Sequence, residues 1–248
     1  MAFCQPGTKN AVCVLNYRSH RLAYIVMDQM RMINRLTRTW NVLLRRPEAN
    51  YPRWVAVSEA NRKTMDFIED KRCRMIAELG VYQGHTSMAF AKYLNGEGSL
   101  HLYDFHDRVR TVAAKLEHAG FQNVQSFACS YRYRDSYNWA LGKAIATHGE
   151  SIYDYIFLDG AHDWAIDALA TLLSDRLLKM GGYLDFDDYS WTLAESPSLN
   201  PKVFPLTAKL YTPEQIETPQ VKMVVDLLIK RDPRYREVVK DKIFQKIA

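Results

Sequence analysis

Apolar residues recur at helical spacing between about Arg21 and Leu44, at Leu22, Ile25, Val26, Met30, Ile33 and Leu36. That period gathers them on one face of a helix. Arg31, Arg35, Arg38, Arg45 and Arg46 lie between and after them and give it a basic side. Pro47 and Pro52 end it, and Tyr51 and Trp54 sit in the loop that follows. Ser58 then caps a second helix running through Met65, Phe67 and Ile68. From Arg74 onward the pattern changes, and short apolar runs alternate with helical periods. The runs 74–79, 99–103, 124–128, 153–158 and 183–186 predict strands. Between them lie a helix capped by Thr86 and Ser87, one over 109–119 stopped by Gly120, one over 135–148, and one over 167–179 before Gly181-Gly182. Strands alternating with helices predict parallel βαβ units and a doubly wound sheet. Residues 189–217 read as a long loop, and Thr218 and Pro219 start a helix through Val221, Val224, Val225, Leu228 and Ile229. The tail predicts two strands, 235–239 and 242–247, joined by Lys240-Asp241. The organisation is an N-terminal helical extension over 1–70 and an α/β domain over 71–248.

A chain of 248 residues is long enough for a sizeable core, burying roughly 70–75% of its unfolded surface. Its net charge of +5 suits an anionic substrate, but it is too weak and dispersed to argue for nucleic acid. Cys4, Cys13, Cys73 and Cys129 show neither CxxC nor metal-ligand spacing, so a reducing cytoplasm is expected. No run approaches ~20 apolar residues and no signal peptide is visible, so no membrane partner is expected.

The chemistry gathers at Glu78-Leu79-Gly80-Val81-Tyr82-Gln83-Gly84, a glycine loop between a strand and a helix. The start of such a helix offers free N–H donors to an anionic or carboxylate-bearing cofactor. No Gly-Lys-Ser/Thr follows and the GxGxxG spacing is absent, which argues against triphosphates and dinucleotides. Acids stand at the predicted strand ends: Glu78, Asp104, Asp159 and the Asp187-Asp188 pair. In open α/β sheets that edge carries the ligand, and Asp104 stands where nucleoside-binding folds set a carboxylate against ribose.

E-L-G-x-x-x-G resembles the first motif of the class I S-adenosylmethionine-dependent methyltransferases, and the two-strand tail resembles their antiparallel last strand. The stretches Asp159-Gly160-Ala161-His162 and Asp187-Asp188-Tyr189 resemble the metal-dependent O-methyltransferases that act on sugar hydroxyls of macrolide antibiotics. The resemblance covers residues 74–248. It implies a Rossmann-like, doubly wound, seven-stranded methyltransferase sheet with an antiparallel last strand. It implies S-adenosylmethionine held by Glu78, Gly80, Gly84, Ser87, Asp104, Ser130 and Asp159. It further implies magnesium on Asp159, Asp187 and Asp188, with His162 as base beside Asp159. Methyltransferases often carry an aspartate after the third strand, where this chain has Cys129 and Ser130. The types suit the chemistry: carboxylates bind a hard cation, the cation stabilises a developing alkoxide, and a neutral histidine takes the proton. Tyr131-Arg132-Tyr133-Arg134 and Tyr189-Ser190-Trp191 are candidates to line an acceptor pocket, and the N-terminal extension to form its lid. The expected partner is a small-molecule hydroxyl acceptor, possibly glycosylated, and a homo-oligomer is compatible with the sequence. The alternatives are a metal-independent methyltransferase of an amine, catechol or RNA, and a cofactor-binding protein without catalysis.

Overall fold

Ser58 begins the described chain as the cap the sequence predicts, its hydroxyl accepting the Asn61 N–H at 3.1 Å. The computed structural model describes residues 58–248 apart from Tyr133. The expected helix over 21–44, the loop holding Tyr51 and Trp54, and Cys4 and Cys13 lie outside the described residues. Helix α1 (Glu59–Lys71) ends at Arg72, which turns left-handed and donates its N–H to the carbonyls of Glu69 and Ile68.

The chain then alternates as β1 (Met75–Leu79), α2 (His85–Leu94), β2 (Ser99–Phe105), α3 (His106–His118) and β3 (Val124–Cys129). It continues through α4 (Tyr137–His148), β4 (Tyr153–Leu158), α5 (Trp164–Leu177) and β5 (Leu178–Phe186). Two short helices follow, α6 (Thr207–Leu210) and α7 (Pro213–Glu217). Helix α8 (Gln220–Val224) runs on into a π turn over Val225–Ile229. The strands β6 (Tyr235–Val239) and β7 (Ile243–Lys246) close the chain. The seven strands form one sheet in the order β3-β2-β1-β4-β5-β7-β6. β1 to β5 pair in parallel, whereas β7 is antiparallel to both β5 and β6. This is the seven-stranded sheet with a reversed last strand that the tail predicts.

Alternate strand residues face opposite sides of the sheet. On β4, Tyr155 and Phe157 join the core under α1, α2 and α3, with Ile68, Phe90 and Val112. Ile156 and Leu158 join the other core, under α4, α5 and α8, with Leu141, Ala170 and Val224. Burial on both faces explains why these strands read as unbroken apolar runs.

Several boundaries differ from the sequence pattern. Helix α2 is capped by Gly84 and not by Thr86 or Ser87, because Gly84 adopts φ 80° and the helix closes around it. Helix α4 begins after Ser136, since the Asp135 carboxylate is occupied by Ser130. β5 takes in Lys179 to Gly182, residues predicted as helix end and turn. Pairing of Leu178 with Tyr153 recruits them, and a register shift between Tyr153 and Tyr155 accommodates the irregularity. Within 189–217, predicted as loop, Thr212 and Gln215 form a capping box for α7, a signature present in the sequence as T-x-x-Q. No helix among the described residues is long and apolar enough to cross a membrane.

Candidate functional site

The strands wind outward from β1 in one direction to β3 and from β4 in the other, so the crevice between β1 and β4 is a topological switch point. Ladder bonds run one residue past the strand ends there. Gly80 N–H donates to the Tyr103 carbonyl (2.8 Å), Asp159 N–H to Leu79 (2.9 Å) and Asp187 N–H to Leu158 (3.0 Å). The glycine loop and the acids of β4 and β5 are therefore level along one sheet edge.

Gly80 has φ 92°, and a Cβ added to it would lie 1.9 Å from the Asp159 carbonyl oxygen. The missing side chain lets the backbone just past the end of β4 approach closely. A Cβ on Gly84 would lie 2.7 Å from Val112 Cγ1, so this glycine lets α2 settle against α3. Gly84 has no side chain to cap α2. The first-turn N–H groups thus remain available to an anionic group. Asp104 is 4% exposed. Its carboxylate accepts the N–H groups of Val81 (2.9 Å), Tyr82 (3.3 Å) and Phe105 (2.6 Å), which ties the loop to β2. Arg108 Nη1 also reaches Oδ2 at 3.4 Å, whereas Oδ1 accepts only from Phe105, so one position on Oδ1 remains for a hydroxyl. Ser87 is fully buried inside α2, and its hydroxyl donates to Glu78 Oε2 at 2.6 Å. Its side chain positions Glu78.

Burial pushes the Glu78 carboxyl up from 4.5 to about 8, with Ser87 opposing the shift and Asp104 adding to it. Between those pH values the folded chain holds a proton that the unfolded chain has released. Stability should therefore fall as pH rises across that window, with the whole penalty present above it. An NMR titration of the Glu78 carboxyl is expected to show a midpoint near 8. Glu78→Gln is expected to flatten the stability–pH curve over the same window. A midpoint at the ordinary value would refute this.

Asp159, His162 and Asp188 each offer one donor atom, and these atoms lie within 4.8 Å of one another. His162 Nε2 lies 3.6 Å from Asp159 Oδ1, and its Nδ1 lies 3.6 Å from Asp188 Oδ2. His162 does not enter a helix, as its sequence position suggests, because α5 begins only at Trp164. Instead His162 (φ 55°) and Asp188 (φ 56°) both turn left-handed, at about 1–2 kcal/mol each. Strain of this kind concentrates at functional sites. Asp187, expected with the metal acids, is not one of these three donors; its Oδ1 lies 3.6 Å from Lys242 Nζ, and its charge still acts on Asp159 and Asp188. Burial raises the Asp159 carboxyl well above its ordinary range, and the charges of Asp187, Asp188 and Glu78 add to this. Asp188 is raised by burial and by Asp187, while His162 opposes the shift. Repelling carboxylates beside an imidazole fit a divalent cation by donor chemistry.

The remaining candidates divide. The Ser130 hydroxyl donates to Asp135 at 2.6 Å, which fixes the end of β3. Tyr131 stacks on Phe105 with ring centroids 4.2 Å apart and donates to Asp107. Tyr189 donates to Asp226 and accepts from Lys222 and Lys230, so it anchors the loop to α8 instead of lining a pocket. A turn from Asp188 to Trp191 sets the Trp191 ring 5.3 Å from His162. Tyr133 lies outside the described residues. Lys242 was missed by sequence reasoning, since nothing in the spacing of the tail marks one lysine among several.

Residues 77–189 match the family described as "Methyltransferase domain". No curated protein sequence matches the chain. Among solved structures, the fold is similar to the SAH-bound methyltransferase PaMTH1 of Podospora anserina, with a TM-score of 0.54 at 15% identity over 99% of both chains. It is similar to a putative O-methyltransferase from Klebsiella pneumoniae, with a TM-score of 0.53 at 16% identity over 79% of this chain and 84% of that one. It is also similar to a putative caffeoyl-CoA O-methyltransferase from Staphylococcus aureus, with a TM-score of 0.52 at 15% identity over 90% and 96%. At these identities the likeness is one of fold.

Proposed function

We propose that this chain, whose residues 77–189 match a methyltransferase-domain family, is an S-adenosylmethionine-dependent O-methyltransferase of a small, possibly glycosylated hydroxyl compound, assisted by a divalent cation. The observation that carries the reading is the convergence of Asp159, His162 and Asp188 beside the glycine loop, with donor atoms within 4.8 Å. The SAH-bound Podospora anserina protein shares the fold and supports the choice of methyl donor. S-adenosylmethionine supplies an electrophilic methyl group. The uncapped start of α2 suits its carboxylate and Asp104 suits its ribose hydroxyls. Glu78 is bonded to Ser87 in the first turn of α2.

Asp159 and Asp188 are the residues that would hold the cation, which would offset their repulsion and acidify a bound hydroxyl. His162 removes the acceptor proton; its ring nitrogens lie 3.6 Å from the Asp159 and Asp188 carboxylates, beyond hydrogen-bond length, and so stay free to accept it. Trp191 covers the same ring and supplies a flat apolar surface to an acceptor. In-line placement of the hydroxyl contributes much of the remaining rate.

The test is methyl transfer from labelled S-adenosylmethionine to a panel of sugar, catechol, amine and RNA acceptors, with and without chelator. Turnover of hydroxyl acceptors is expected to disappear with chelator while calorimetric binding of the methyl donor survives. Full turnover in excess chelator would remove the cation from the reading. Preference for an amine or RNA would remove the hydroxyl acceptor.

A further inference from the structure

We propose that Lys242 sets how many carboxylates the site offers a divalent cation, by drawing Asp187 out of the ligand set. This rests on the metal reading above. Lys242 opens the return into β7, and its carbonyl accepts the Phe186 N–H at 2.9 Å, which holds it at the end of β5. Its Nζ lies 2.9 Å from Asp185 Oδ1 and 3.6 Å from Asp187 Oδ1. It also sits over the Phe157 ring, 5.4 Å from the centroid. Asp185 is fully buried and accepts the hydroxyls of Thr64 (2.6 Å) and Tyr155. A buried carboxylate keeps a cationic partner beside it, because release of that partner would strand its charge. The ammonium is thus a resident positive charge against the acid cluster; it pairs with Asp187, which is not among the three converging donors, and its charge also reaches Asp159 and Asp188. An arriving cation meets two available carboxylates and an opposing charge.

Two consequences follow. Asp187 contributes little to cation affinity while Lys242 is present. Removal of the ammonium frees Asp187 and removes a like charge, so affinity rises on the order of tenfold or more.

The experiment measures Mn2+ affinity by electron paramagnetic resonance. Lys242→Met alone strands Asp185 and can fail to fold, so the comparison uses Asp185→Asn, whose amide oxygen still accepts from Thr64 and Tyr155. The double variant D185N/K242M is expected to bind Mn2+ on the order of tenfold more tightly than D185N. Adding Asp187→Asn is expected to reverse that gain in the double variant and to leave the affinity of the native chain within about twofold. A purely structural role for Lys242 would not produce this dependence on Asp187. Equal affinity of D185N and D185N/K242M, or a tenfold loss in D187N alone, overturns the proposal while the metal reading stands. Absence of Mn2+ binding in every protein overturns the metal reading and this proposal with it. If D185N does not fold, the native chain against D187N decides the matter by the same limits.

Discussion

Gly80→Ala is expected to abolish methyl-donor binding and to destabilise the fold by about 2–5 kcal/mol, the sum of overpacking and left-handed backbone strain. The added Cβ would lie 1.9 Å from the Asp159 carbonyl oxygen and 2.6 Å from its carbon. Backbone on a central strand cannot step aside, because the Asp159 N–H is bonded to Leu79 at 2.9 Å. The φ of 92° adds strain for any residue with a Cβ. Relief requires the loop and the end of β4 to part, which moves the cofactor loop and Asp159 together. Urea unfolding and calorimetry with S-adenosylmethionine measure the two effects. Gly142→Ala is the control, since a Cβ there meets nothing within 4 Å. It should stabilise α4 by about 0.5–1 kcal/mol. Normal donor affinity in folded Gly80→Ala protein would refute the geometric account of the loop.

His162→Ala is expected to lower turnover by roughly 10²–10⁴-fold with cation affinity little changed, the range for loss of a general base. Its ring lies between two carboxylates, 3.6 Å from each, with Trp191 alongside. The fold should tolerate the change, because the side chain is partly exposed, at 18%, and forms no hydrogen bond that its loss would leave unmade. His162→Asn provides a second variant suited to the φ of 55°, since asparagine accepts left-handed backbone more readily than alanine. A fully active variant would transfer the proton to Asp159 or to water. A variant that binds no cation would make His162 a ligand in place of a base.

Sheet and topology were legible because their signals are local. Apolar runs buried on both faces mark β1, β2 and β4, Gly120 marks the end of α3, and the tail pattern marks the reversed strand. Helix starts were less legible. The Gly84 cap and the late start of α4 depend on contacts with Val112 and Ser130, which spacing cannot show. Recruitment of Gly181-Gly182 into β5 likewise depends on a partner strand, and strand pairing overrides the turn preference of two glycines.

At the site the division is similar. The sequence alone determined that Glu78, Gly80, Asp104, Asp159, Asp187 and Asp188 belong to strand ends. Strand ends follow from the hydrophobic period, and parallel connections bring them to one edge. Only the tertiary structure decided which of them meet. Left-handed turns at His162 and Asp188 aim those side chains at Asp159. Lys242, brought from the far end of the chain beside β7, sets a positive charge 3.6 Å from Asp187. Ser87, in the first turn of α2, bonds Glu78 instead of capping the helix. Charge, burial and direction at a site depend on neighbours distant in sequence, because electrostatic interaction acts through space and the hydrophobic pattern records only which face of an element is covered.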